Sequence, residues 1–163
     1  MLITGINIFL VIILIWITYQ DIRNRHVHVF LLIALFSAAV IINYFSNNLN
    51  YFEALKIVGF VLLNMVGLTI YFSLKSRKLI NPIDKFLGLG DVIFLISITP
   101  IFTLKRYMAY FITGLLFSLL VHMLFKNFVT DKTVPLAGYL SIYLIVLILV
   151  NLVLDYNLFV DEY

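Results

Sequence analysis

The chain has 163 residues, of which 64% are hydrophobic and 12% charged, with a formal net charge of +3. A soluble domain is typically about half apolar and about a quarter charged, so this composition predicts an integral membrane protein with no separate soluble domain. In such a chain Lys and Arg report orientation, which excludes nucleic acid as the expected partner and leaves the lipid bilayer as the surroundings. With no cysteine, thiolate-ligated zinc and iron–sulfur sites are also excluded.

This length holds roughly six spans of about 20 residues with short connections. Continuous hydrophobicity excludes the alternation of barrel strands, so the predicted class is all-α integral membrane, with 1–163 as a single domain. No basic leader or small-residue cleavage site opens the chain, and Met1 is expected to begin the mature first span. Apolar runs predict helices over Leu2–Tyr19, Val27–Tyr44, Phe52–Leu74, Asp91–Leu104, Tyr107–Phe125 and Leu136–Leu154. Asn47-Asn48-Leu49-Asn50 predicts a polar turn between the second and third. Aromatic residues near the span ends (Trp16, Tyr19, Tyr44, Tyr51, Tyr107 and Tyr110) are expected as interface anchors.

The links set the topology. Arg23 and Arg25 lie in the first link, Lys75, Arg77, Lys78 and Lys85 in the third, and Lys126 and Lys132 in the fifth. Only Lys56, Lys105 and Arg106 fall on the other side, with the acids Asp155, Asp161 and Glu162. The positive-inside bias therefore predicts cytoplasmic odd links and both termini outside.

That topology gives the acids different meanings. Asp21 closes the first predicted span and Asp91 opens the fourth, so both fall at the cytoplasmic surface, where an acid at a membrane lip is a functional-site candidate. Two carboxylates in one partly desolvated site do not both ionise cheaply, so one keeps a proton near neutral pH. The ionised member then activates water while the protonated member polarises a peptide carbonyl, with no metal or bound cofactor required. Gly88 and Gly90 flank Leu89 before Asp91, and glycine brings unusual backbone angles or close backbone approach. Glu53 and the C-terminal acids fall on the opposite side, and Asp131 sits beside Lys132 in a loop. Asp84, between Pro82 and Lys85, is the rival to Asp91 and reads as an exposed loop acid.

Three stretches carry a resemblance. Tyr19-Gln20-Asp21-Ile22-Arg23-Asn24-Arg25 before an apolar helix resembles the first aspartate region of type IV prepilin peptidases. Gly88-Leu89-Gly90-Asp91 resembles their GxGD motif, shared more distantly with preflagellin peptidases and presenilins. Val134-Pro135-Leu136-Ala137-Gly138-Tyr139-Leu140 is similar to the proline-containing start of their last helix. The resemblance implies a membrane aspartic endopeptidase with Asp21 and Asp91 as catalytic residues and Gly88, Gly90, Arg23 and Arg25 as supporting motif residues. It implies cleavage of a short basic leader from a pilin-like or pseudopilin precursor at the cytoplasmic face of the inner membrane, as in type IV pilus assembly or protein secretion. His28-Val29 stand where many members have Pro-Asn, and Ile93 where many have Lys. The cysteine-containing insert associated with N-methylation is missing, so the chain resembles the small, peptidase-only form.

The sequence leaves two alternatives: a small transporter using Asp21 or Asp91 as a proton or cation site, and an inactive assembly protein of the same fold. Transport sites lie near the midplane, whereas both acids map to one surface. Arg23 and Arg25 are expected first as orientation determinants, with tuning of the aspartates as the alternative. His26 and His28, two residues apart, point away from each other on a helix and are expected as interface residues. His122 is expected as a polar packing residue, and Asn64, Gly67, Gly114 and Ser118 as close-packing positions. No residue is assigned to substrate binding.

Overall fold

The computed structural model describes residues 2–45, 51–76, 88–125 and 134–154, all helices and short turns. The Asn47–Asn50 turn, Arg77, Lys78, Lys85, Lys126, Lys132, Asp84, Asp131, Asp155, Asp161 and Glu162 lie outside them. Six α-helices are present among the described residues: α1 (Leu2–Asn24), α2 (Val29–Phe45), α3 (Tyr51–Ser76), α4 (Leu89–Ser97), α5 (Leu104–Phe125) and α6 (Leu136–Leu154).

Three helical segments, Gly5–Asn24, Phe52–Ser76 and Leu104–Leu124, are long and apolar enough to cross a membrane. The apolar segments Val29–Phe45, Leu89–Ile101 and Leu136–Leu152 are shorter. The fourth element differs from the continuous helix expected over Asp91–Leu104. It is a nine-residue α-helix followed by a 3-10 turn, Thr99–Ile101. Pro100 is the physical reason, since it has no N–H to continue an α-helical ladder. The Asn43 side-chain amide donates to the freed Pro100 carbonyl at 2.6 Å, tying the turn to α2.

Helix packing follows stripes at three- and four-residue spacing. On α1 the buried stripe is Leu10, Ile13, Leu14, Ile17 and Asp21, while Phe9, Ile12, Ile15 and Trp16 face outward. Asp21 is therefore in the last turn of the helix and on its inward face. On α6 the matching stripe is Ala137, Leu140, Leu144 and Ile148. The α1–α6 pair is the most extensive helix contact, with α2 against α1 and α5 against α6 next. Lipid is as apolar as Leu, so such contacts depend on close approach and interhelical hydrogen bonds. Gly114 of α5 allows this approach, because a Cβ there would stand 2.7 Å from Leu140 Cδ2. Gly67 of α3, by contrast, meets nothing within 4 Å and is not a packing glycine among the described residues.

Tyr107 and Tyr110 also differ from expectation. Both are buried in the core, and their hydroxyls donate to the carbonyls of Leu95 and Leu140 at 3.0 Å each. A buried tyrosine hydroxyl needs a hydrogen-bond partner, and main-chain carbonyls of neighbouring helices supply it here. Trp16, Tyr19 and Tyr44 are exposed, as anchors require.

Candidate active site

The C-terminal turn of α1 and the first turns of α4 and α6 meet at one end of the bundle. The start of α6 explains what they do there. The Tyr139 amide donates to the Pro135 carbonyl at 3.1 Å, which makes Pro135 the residue capping the helix N-terminus. A Ser or Asp in that position would accept the free amides of the second and third helical residues, but proline has no side-chain acceptor. Those two amides belong to Ala137 and Gly138. They reach carboxylates on other helices instead. Ala137 N–H donates to Asp91 Oδ1 at 2.8 Å, and Gly138 N–H donates to Asp21 Oδ2 at 2.6 Å.

Asp21 and Asp91 are thus held by consecutive amides of one helix end, whose dipole also favours negative charge. Asp91 is further held by its own helix, since Gly88 N–H donates to its Oδ2 at 3.1 Å. The second carboxylate oxygen thus closes the first turn of α4 while the first reaches α6. Asp21 is 6% exposed, low for a carboxylate and affordable only with partners of this kind.

The glycines act by close approach. Gly88 has φ −71° and ψ 144°, ordinary extended backbone, and no glycine among the described residues has a positive φ. A Cβ on Gly88 would lie 3.2 Å from Asp91 Oδ2. At Gly90 the nearest neighbour is Val27 Cβ at 3.8 Å, an ordinary contact with the start of α2. Gly138 is the crowded position: its Cβ would meet Asp21 Oδ2 at 3.2 Å, Asp21 Cβ at 3.3 Å and Ile22 Cγ1 at 3.4 Å. Thr18 braces the same place, its hydroxyl donating to Leu14 O at 2.9 Å and approaching Gly138 O at 3.4 Å.

The arginines separate. Arg23 is exposed and turns back along α1, hydrogen-bonding the Tyr19 hydroxyl and lying over its ring. Arg25 lies within electrostatic reach of Asp21 and Tyr139. Ile93 is half-buried and packs against the core. His26 and His28 are exposed, and His122 packs its ring 6.5 Å from that of Tyr139. No group of three or more His, Cys, Asp or Glu suited to a metal occurs among the described residues. Sequence reasoning missed Ala137 and Gly138, because a main-chain donor leaves no mark on residue type. The available signal was Gly138 itself, one turn into a helix that begins on proline.

Residues 8–125 match the type IV leader peptidase family. The chain belongs to this family. No curated protein and no solved structure gives a significant match to it. The matched segment includes both acids of the site and ends at the close of α5, so the α6 amides of this leader peptidase family member lie beyond it.

Proposed function

We propose that this chain is a membrane aspartic endopeptidase that removes the short N-terminal leader of a type IV prepilin-like precursor. Asp21 and Asp91 form the catalytic pair, working on the cytoplasmic face of the inner membrane. The observation that carries this reading is the delivery of two carboxylates, from helices distant in sequence, to the adjacent amides of Ala137 and Gly138. Membership of the leader peptidase family supports the reaction class and a protein substrate.

The chemistry follows from the pair. One carboxylate takes a proton from water as the oxygen attacks the scissile carbonyl carbon, and the other, protonated, donates to the carbonyl oxygen. The resulting tetrahedral diol collapses as the first acid passes its proton to the leaving nitrogen. The second acid recovers a proton from the diol, and the C–N bond breaks. An apolar substrate helix lying in the bilayer would place the peptide bond just before it at the depth of the two acids.

The test uses purified protein in detergent or liposomes and a precursor with a short basic leader ahead of an apolar helix. Asp21→Asn and Asp91→Asn should each abolish cutting in folded protein, and wild-type cutting by either would sink the assignment of the pair. Ion flux through the same liposomes would reveal a transporter.

A further inference from the structure

A groove of about 470 Å³ runs along the outer side of the α1–α6 seam, and its walls are almost wholly apolar. Ile15, Thr18 and Ile22 form the α1 wall, and Ile142 and Ile145 the α6 wall. Helical spacing sets its direction. Gly138, Ile142 and Ile145 stand at i, i+4 and i+7 on one face of α6, and Ile22, Thr18 and Ile15 run back along α1 at the same steps. The two rows converge at Gly138, whose Cβ would lie 3.4 Å from Ile22 Cγ1 and 3.2 Å from Asp21 Oδ2. Thr18 Oγ1 approaches Gly138 O at 3.4 Å beside them. The groove therefore leads along the seam to the contact that holds Asp21.

The exposed side of α1 is the second observation. Ile8, Ile12, Ile15, Tyr19 and Ile22 are all exposed and follow one another at alternating steps of four and three residues. That is the heptad spacing by which one helix packs along another, and isoleucine is stiff enough to pack with little loss of freedom. Lipid, as apolar as Leu, imposes no such spacing. A helix laid on this stripe also reaches Ile142 and Ile145 across the groove. The stripe ends at Ile22, next to Asp21, so the fitting partner is a helix whose apolar part ends at the level of the acids. In the reaction proposed above the precursor has that form, because its apolar helix begins just after the bond to be cut. A second copy of α1 would match the stripe but gain nothing from a groove directed at Asp21.

We propose that the α1–α6 groove is the docking site for the apolar helix of the precursor, which lies parallel to α6 and presents the peptide bond ahead of it to Asp21 and Asp91. This rests on the peptidase reading above and adds where, and in what register, the substrate binds. A precursor whose leader lies on the side of the acids enters the bilayer in the same direction as α6 and opposite to α1. Ile22 lies beside Gly138 at the site. Ile15 is seven residues from Ile22, and Ile145 seven from Gly138, each about 10 Å along its helix. The start of the precursor helix is therefore level with Ile22, and the residue about seven positions later is level with Ile15 and Ile145.

The chain has no cysteine of its own, so single cysteines report contacts directly. Full-length Ile22→Cys, Ile15→Cys and Ile145→Cys in liposomes are oxidised with precursors carrying one cysteine at successive positions of the apolar helix, which stays on the product after cutting. Ile22→Cys should cross-link near the start of that helix, and Ile15→Cys and Ile145→Cys about seven residues further on. Leu63→Cys, exposed on α3, should give no such ladder. Ile15→Trp fills the groove and leaves the acids in place, so it should raise KM for the precursor about tenfold with kcat within about twofold. Cysteine is smaller than isoleucine, so the cross-links decide the matter if the tryptophan variant does not fold. An unmoved KM in folded Ile15→Trp, cross-links without the seven-residue offset, or adducts at Leu63→Cys as strong as at Ile15→Cys overturn the docking site. A disulfide between two copies of Ile15→Cys with no precursor adduct would give the groove to a second copy of the chain, and no adduct of either kind would give it to lipid; both overturn the proposal. Failure of the peptidase reading looks different: the cross-link ladder forms while Asp21→Asn or Asp91→Asn cuts normally.

Discussion

Replacing Gly138 with alanine puts a methyl group 3.2 Å from Asp21 Oδ2, 3.3 Å from Asp21 Cβ and 3.4 Å from Ile22 Cγ1. The carboxylate can rotate away from the new methyl, but Asp21 Cβ is fixed to the α1 backbone. The helices must therefore separate by a few tenths of an ångström, stretching the 2.6 Å bond from Gly138 N–H. A hydrogen bond to a charged group contributes about 1.5–3 kcal/mol. Losing most of it from the reacting geometry corresponds to a rate loss of about tenfold to a hundredfold. Overall stability should change little. Alanine gains about 0.5–1 kcal/mol over glycine within a helix, which offsets much of the crowding. The assay is initial-rate cleavage of the precursor in liposomes, with thermal unfolding measured on the same preparation. Gly67→Ala, where nothing lies within 4 Å, serves as the control and should cut as wild type does. If Gly138→Ala cuts within about twofold of wild type, the α6 amides do not set the working position of Asp21, and the magnitude argument fails.

Other expectations follow from single contacts. Asp91 accepts from two amides and Asp21 from one of the same helix end, so an asparagine, with one oxygen acceptor, should cost more at Asp91. Asp91→Asn should lose about 1–3 kcal/mol and Asp21→Asn less, visible as a lower melting temperature for the former; equal melting would refute the bridging role of Asp91. Tyr110→Phe removes the 3.0 Å hydroxyl bond to the Leu140 carbonyl, which keeps its place in the α6 ladder, and should destabilise by about 0.5–1.5 kcal/mol, with cleavage per folded molecule unchanged. A normal melting temperature would mean that this interhelical bond adds nothing to the α5–α6 contact. Gly114→Leu overpacks the α5–α6 contact, where even a Cβ stands 2.7 Å from Leu140 Cδ2, and should cost about 1–3 kcal/mol in chemical or thermal unfolding. Retained stability there would show that Leu140 swings clear.

Much of the bundle was legible because apolar run length and turn residues mark helices directly. Leu136–Leu154 has the bounds expected, and α3 and α5 extend the expected runs by a few residues. The fourth element was legible only to Pro100, where a backbone donor is missing although hydrophobicity continues. Tyr107 and Tyr110 were misread because an aromatic at a span end looks the same whether its hydroxyl meets headgroups or a carbonyl. Asp21 and Asp91 were singled out by the cost of an acid at a membrane edge, and the structure places both at the start of α6. The stripe Leu10, Ile13, Leu14, Ile17 and Asp21 already held the inward orientation of Asp21, at helical spacing. The donors that receive these acids could not be read in the same way, since any residue but proline supplies an amide.

Because those donors belong to α6, the two acids have no common anchor in a chain that stops at α5. During synthesis α1 and α4 enter the membrane first, carrying carboxylates with nothing to hold them in register. The pair comes into being when α6 docks against α1, at the end of assembly. On the peptidase reading proposed above, a half-made chain has no assembled pair, and a lesion that only loosens α6 should reduce cutting as replacing either aspartate does.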